Sequence, residues 1–377
     1  MSKKIIGFLY GLVFIVVYAI GNMAYARVFA FDSSILVFIL VALFVAVTVI
    51  LDYRFLTYSV FPYMVAIATF LASAVNGFVG YRMGFFIALA EVGMCVYALK
   101  TYNLNYERML KWFVIFIIIN YIFTLVLIAL NIPIVPYLVQ RYAFQRNGIF
   151  ITYISGLYGD KNAFGYFNGI LLLLVIHHYR FRFRAPAIAL LLTTLLLSGN
   201  RGGMLAFVVA FYYYKLSATK NMALKAINMV VLPLFFGIIL WMWSGSEFDT
   251  RKGSDAGRGE LLEIAIPYIK DNLFFGIGRG FVVNGQGIAL HNFYAQALVE
   301  AGLFTLLSYL LFFAYLVRKM DVFGKAMLIF VFLFTLTAPI LQPGNITELI
   351  FIVGLCTYLK RLHEKKVDTL SPQLDPI

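Results

Sequence analysis

The sequence predicts an all-α fold, a polytopic membrane helical bundle of about twelve transmembrane helices built as one integral membrane domain over residues 1–377. Three observations carry that reading. Hydrophobic residues make up 63% of the chain and charged residues only 12%, about half the roughly 25% charge of a soluble domain. Apolar runs of roughly 20 residues, the length that crosses a bilayer as a helix, recur from end to end. Within them apolar residues are continuous, whereas barrel strands would alternate apolar with polar. The two cysteines, Cys95 and Cys356, both fall inside apolar runs, so they indicate neither a disulfide framework nor a zinc site.

The first run, 5–22, follows Lys3 and Lys4 and precedes Ala24-Tyr25-Ala26. That outline is shared with secretory signal peptides, but the parity of the later runs favours a first membrane helix. Runs at 34–51, 56–74, 84–99 and 112–132 come next. A longer connection, 133–162, mixes Tyr and Phe with Arg141 and Arg146, the composition of an interfacial helix or a re-entrant segment. Runs at 163–178, 185–199, 203–217 and 223–243 lead to the longest connection, 244–292, which holds Arg251, Lys252, Arg258, Lys270 and Arg279. Within it, Arg258 to Lys270 has the Leu, Glu, Ile and Ala content of a helix lying on the membrane. Three runs close the bundle: 293–316, 322–341 and 345–360. The tail 367–377, with two prolines, reads as disordered. No internal repeat or low-complexity segment is visible.

The net charge of +13 raises nucleic acid as a partner, and position decides against it. When the connections alternate sides, 19 of the 30 Lys and Arg fall on the side of both termini. The side with the excess faces the cytoplasm, which places the 244–292 loop outside. No inner connection is long enough for a nucleic-acid domain. The inner cations are 12 Lys and 7 Arg, the outer ones 3 Lys and 8 Arg. Arginine presents a planar fork that grips phosphate or carboxylate through two bonds, whereas lysine is a point charge. Outer arginines run against the topology bias. Arg27 and Arg82 fit snorkelling to lipid headgroups; for the others an anionic ligand and the headgroups are both open readings.

Several constellations carry chemistry. Ser198-Gly199-Asn200-Arg201-Gly202-Gly203 is a tight outer turn with Arg201 at the start of a helix, where free N–H groups and the helix dipole favour an anion. It also fits a helix-ending turn with an arginine at the headgroups. Gly276-Ile277-Gly278-Arg279-Gly280 is a second glycine-rich loop with a cation, without the strand–turn–helix setting of a dinucleotide fingerprint. His291 is the one histidine placed outside, at the mouth of a helix, where it can serve structure or move a proton near neutral pH. With no second outer histidine, no outer cysteine and no tight acidic cluster, no metal site is expected. Glu91 and Glu300 fall inside spans. Nine residues past His291, Glu300 is about half a revolution away on a helix, so pairing with an arginine is the expectation. Buried acids also suit ion-coupled transport.

These residues carry a family resemblance. Arg258-Gly259-Glu260-Leu261-Leu262 fits the R-x3-L element of the bacterial O-antigen ligases. His291-Asn292, nine residues, then Gly302-Leu303-Phe304-Thr305 fits their H-[NSQ]-x9-G-x2-[GTY] element without a gap. The Ser198–Gly203 turn resembles their S-x-x-R-G turn. Arg146-Asn147-Gly148 with Asp160-Lys161-Asn162 is similar to their arginine–glycine and D-P-N segment, with Lys161 in place of proline. The resemblance covers about 146–305 and is to a superfamily of O-antigen ligases, Wzy-type O-antigen or capsule polymerases and protein O-glycosyltransferases. It implies a GT-C-like helical fold and transfer of a glycan from an undecaprenyl-diphosphate carrier to a hydroxyl outside the inner membrane, with no metal and no cofactor. It further implies that Arg201 and Arg258 hold the donor diphosphate while His291 serves the reacting hydroxyl. Arg146, Asp160, Asn162, Asn200 and Asn292 are candidate substrate-binding residues beside them, as is Arg279 on its loop.

Richness in Phe, Tyr, Ile and Lys and the unconventional D-K-N turn favour a polymerase, which joins carrier-linked repeat units. The alternatives are a ligase that transfers the glycan to lipid A core in lipopolysaccharide biosynthesis and, in another class, a lipid-linked oligosaccharide transporter. Expected partners are the carrier-linked oligosaccharide, membrane lipids, a flippase and a chain-length regulator. The expected location is the bacterial inner membrane, multi-pass, with both termini cytoplasmic.

Overall fold

The computed structural model describes residues 141–146, 149–154, 161–177, 183–198, 200–244, 256–278, 282–283, 286–287 and 290–337, with scattered helical positions at 71 and 75 and between 115 and 130. The expected runs 5–22, 34–51, 84–99 and 345–360, nearly all of 56–74 and the tail 367–377 lie outside the described residues. In chain order come strands β1 (Arg141–Arg146) and β2 (Ile149–Ile154), then helices α1 (Lys161–His177), α2 (Arg184–Leu197), α3 (Arg201–Ala218), α4 (Met222–Ser244) and α5 (Ala256–Asp271). A two-residue pair, β3 (Val282–Val283) and β4 (Gln286–Gly287), precedes α6 (Phe293–Lys319) and α7 (Val322–Thr335).

Six expected runs coincide with α1 to α4, α6 and α7, and the helix expected over Arg258 to Lys270 is α5. Of the two expectations for 133–162, the interfacial helix is corrected over Arg141–Arg146 and Ile149–Ile154: β1 and β2 form an antiparallel hairpin, registered from Arg141↔Ile154 to Arg146↔Ile149. Only Asn147 and Gly148 separate the paired ends. Asn-Gly favours two-residue hairpin connections, whose central positions need positive φ, and the flanking runs are rich in β-branched and aromatic residues. α7 ends at Thr335, four residues before Pro339, which has no N–H for a helix and biases its predecessor away from it.

Phe293–Leu311 is long and apolar enough to cross a membrane, while Phe164–His177, Arg184–Leu197, Met222–Val231 and Val322–Thr335 are shorter apolar helices. Leu224, Ile227, Val230, Val231 and Leu234 on α4 are exposed, the arrangement lipid favours over water. Where the surroundings are lipid, helices associate through close packing and hydrogen bonds rather than hydrophobic transfer.

Contacts divide the chain into two compact units, one of Met1–Tyr63, Met83–Met204 and Gly344–Ile377, the other of Met64–Arg82 and Leu205–Pro343. In the first, α1 is buried almost all round through Phe164, Phe167 and Ile170 to Val175. α2 lays Ala187, Leu191, Thr194 and Leu195 inward, a stripe at helical spacing. Thr194 Oγ1 donates to the buried Asn168 Oδ1 at 3.0 Å, and an Arg184 Nη2 bond to the Ile176 carbonyl joins the cytoplasmic-side ends expected for these helices. In the second unit α6 and α7 are linked by Met320 and Asp321 alone, and Asp321 caps α7 by accepting from Gly324 N at 2.8 Å. Tyr294, at the start of α6, bonds the Phe332 carbonyl at 3.2 Å and Thr335 Oγ1 at 3.0 Å. These bonds tie the start of α6 to the last turn of α7.

Candidate functional site

The turn that carries Arg201 is held by three polar side chains. Ser198 Oγ donates to the Leu195 carbonyl at 2.6 Å, and the Asn200 N–H donates to Ser198 Oγ at 3.2 Å. Asn200 then caps α3: its Oδ1 accepts from Gly203 N at 2.8 Å, and its carbonyl takes the first helical bond, from Met204 N at 3.0 Å. An asparagine is among the best residues for this position. Its Nδ2 donates to Asn162 Oδ1 in the first turn of α1 at 3.1 Å. Gly165 permits the approach, since a Cβ there would lie 2.8 Å from Asn200 Cβ. Arg201 is the first residue of α3, so its backbone stands where unpaired N–H groups and the dipole favour negative charge. Asn162 and Asn200 hold the turn that leads into it.

The second unit brings Arg258 and His291 onto packed elements. α5 lays Leu261, Ala265 and Ile269 against Leu290, Ala295, Val299 and Ile277. Arg258 sits seven residues before Ala265, two turns away on nearly the same face. The R-x3-L leucine, Leu262, is exposed; its neighbour Leu261 does the packing.

α6 is broken inside its apolar stretch. Gly302 adopts φ 78° and ψ −179°, which interrupts the helical ladder. The chain leaving α5 fills the gap: Ile277 N donates to the Val299 carbonyl at 2.8 Å, Gly278 N to the Glu300 carbonyl at 3.0 Å, and Leu303 N to the Leu273 carbonyl at 2.8 Å. Backbone groups freed at such a break must be satisfied by protein wherever lipid surrounds them. The approach needs glycine on both sides. A Cβ on Gly302 would run into the Phe274 carbonyl, and one on Gly276 (φ 68°) into the Glu300 carbonyl. Phe274 and Phe275 then pack on Phe304, with ring centroids 5.5 and 5.6 Å away. In the Gly276 to Gly280 loop the N–H groups of Ile277 and Gly278 are thus given to carbonyls of α6 rather than to a ligand, while Arg279 and Gly280 lie outside the described residues.

His291 stands at the start of α6 with its side chain exposed and its backbone at φ 52°. A non-glycine residue in this left-handed region carries a strain of about 1–3 kcal/mol and persists only where neighbours impose it. Here they do. Asn292 caps α6, its Oδ1 accepting from Ala295 N at 3.1 Å, and the Leu290 N–H is held by Gln296 Oε1 at 2.9 Å. The [NSQ] position of the motif is thus the helix cap. Gln296 Nε2 in turn donates to Glu300 Oε1 at 2.6 Å. One partner of Glu300 is therefore an amide one turn back, beside the arginine pairing expected from the sequence. The sequence reading passed over Gln296; its i, i+4 spacing from Glu300 was the available signal.

Of the remaining candidates, Arg146 ends β1, while Asp160 and Arg279 lie outside the described residues. Arg146, Asn162, Asn200 and Arg201 belong to the first unit, and Arg258, His291 and Asn292 to the second.

No curated protein matches the chain. The O-antigen ligase family model (Wzy_C) matches residues 186–310, a stretch that runs from α2 into α6 past the Gly302 break. It includes Arg201, Arg258, His291, Asn292 and Gly302; Arg146, Asp160 and Asn162 precede it. The matched segment, about a third of the 377 residues, takes in the Ser198–Gly203, Arg258–Leu262 and His291–Thr305 motifs together with the Gly302 break, and this O-antigen ligase (Wzy_C) match is consistent with the O-antigen ligase/Wzy superfamily.

Proposed function

We propose that this membrane glycosyltransferase of the ligase/polymerase type is a polymerase, which transfers an undecaprenyl-diphosphate-linked oligosaccharide onto a sugar hydroxyl of another carrier-linked repeat unit outside the inner membrane. The family match over 186–310, with Arg201 at a helix start and His291 at a capped, strained one, supports the transferase class; the richness in Phe, Tyr, Ile and Lys and the D-K-N turn at Asp160 to Asn162 favour the polymerase within it. As the glycosidic bond breaks, the diphosphate gains negative charge. Guanidinium groups fixed beside it stabilise the transition state more than the ground state. In this reading Arg201 and Arg258 hold the diphosphate and no metal is needed. His291 takes the proton of the acceptor hydroxyl, a contribution of roughly 10²–10⁴-fold, and direct displacement inverts the anomeric centre.

Two other readings meet specific observations. The matched family is described as O-antigen ligase, which favours lipid A core as the acceptor. The break in α6 is a feature transporters use, because freed carbonyls of discontinuous helices coordinate ions. Here the Val299 and Glu300 carbonyls already accept from Ile277 and Gly278, which supports an enzyme over a carrier. Purified protein in lipid vesicles with carrier-linked repeat units tests the proposal: a polymerase lengthens the glycan without any gradient. Unchanged glycan is the result a carrier gives. Cells lacking the protein separate the acceptors, since a single repeat on the core marks a missing polymerase and unattached long chains a missing ligase.

A further inference from the structure

We infer that Gln296 and Glu300 form a positioning relay for His291, so that the presentation of the imidazole depends on a buried carboxylate nine residues further on. The inference rests on the proposed role of His291. Gln296 and Glu300 are both buried, on the first half of α6 before the Gly302 break. Glu300 Oε1 accepts from Gln296 Nε2 at 2.6 Å, and Gln296 Oε1 accepts from Leu290 N at 2.9 Å. An amide has one donor end and one acceptor end. An acceptor at Glu300 therefore fixes which end of Gln296 faces the backbone, and the end left is the one the Leu290 N–H requires. Leu290 is buried against Ala265 and Val299, and the next residue is the left-handed His291. On the other side Asn292 is pinned as the helix cap. With both flanks bonded, the direction in which the histidine leaves the backbone is set. The Glu300 carbonyl, through its bond from Gly278, also couples the relay to the loop that follows α5.

The test uses full-length protein in vesicles with the carrier-linked repeat unit. Gln296→Met keeps the volume and removes both bonds. It is expected to lower kcat on the order of ten- to a hundred-fold, the size of effect a misplaced group produces, with the donor KM unchanged. Glu300→Gln, which retains an acceptor, should keep most of the turnover, and Glu300→Leu should lose it as Gln296→Met does. In the His291→Ala background Gln296→Met should lower the residual turnover no further, because it acts through the missing side chain. If Gln296→Met does not fold, Gln296→Glu takes its place in the same cycle: it keeps the acceptor for Leu290 and opposes Glu300 with a second carboxylate. Wild-type kcat in the folded variant, or an undiminished further loss without His291, overturns the relay. An unimpaired His291→Ala variant instead removes the role of the histidine itself.

Discussion

At the scale of single residues, the site is organised by backbone placement. Arg201 is carried on an asparagine cap, and His291 is held in a left-handed conformation between two bonded neighbours. Because an L-residue there costs about 1–2 kcal/mol relative to glycine, His291→Gly should unfold at a higher temperature than His291→Ala. Both should lose turnover more than donor affinity. Thermal unfolding in detergent, beside transfer assays, checks this, and a more stable alanine variant would contradict the strain. Asn200→Ala removes a cap worth about 1 kcal/mol and leaves Asn162 without its donor. A lower unfolding temperature and reduced transfer are expected, with Arg201 still present. Arg201, Arg258 and His291 stand out in the sequence because each motif keeps its residues within a few positions; Asn200 and Asn292 stand out there as substrate-binding candidates, and the structure shows them as helix caps. Gln296 and Glu300 were not combined with His291, because their link runs through the Leu290 backbone and an amide orientation that spacing does not show.

At the scale of elements, α5 and α6 are locked by backbone pairing across the Gly302 break. Adding a methyl at Gly302 or Gly276 forces it into a carbonyl and demands a left-handed conformation of alanine. Gly302→Ala and Gly276→Ala should each destabilise the second unit by several kcal/mol, at the upper end of single substitutions. Little folded protein should be recovered after detergent extraction, measured by the monodisperse fraction in size-exclusion chromatography; wild-type recovery would show that the loop can withdraw from the helix. The helices themselves were readable from apolar runs, to within a few residues at most ends. The break was not, because a glycine in an apolar run reads as an ordinary small residue until the segment that fills the gap is known. The hairpin β1–β2 is the opposite case. Asn147-Gly148 between β-branched and aromatic runs signalled it, and the membrane setting of the neighbouring runs drew the reading toward a helix.

At the scale of the whole molecule, the account depends on sidedness and on how the donor is gripped. Sidedness rests on the distribution of Lys and Arg. After Cys95 and Cys356 are replaced, a cysteine at Gln286 should react with a membrane-impermeant thiol reagent in intact cells, whereas one at Thr219, between α3 and α4, should react only after lysis. The reverse pattern would put the proposed site on the wrong face. The grip on the donor is the central claim, and turnover of Arg201→Lys and Arg258→Lys on carrier-linked repeat units in vesicles tests it most directly. Lysine keeps the charge and loses the two-pronged contact. The account predicts that each variant inserts normally and turns over at least about 10²-fold more slowly, the loss that follows removal of one fixed transition-state donor. Wild-type turnover in either lysine variant would contradict it.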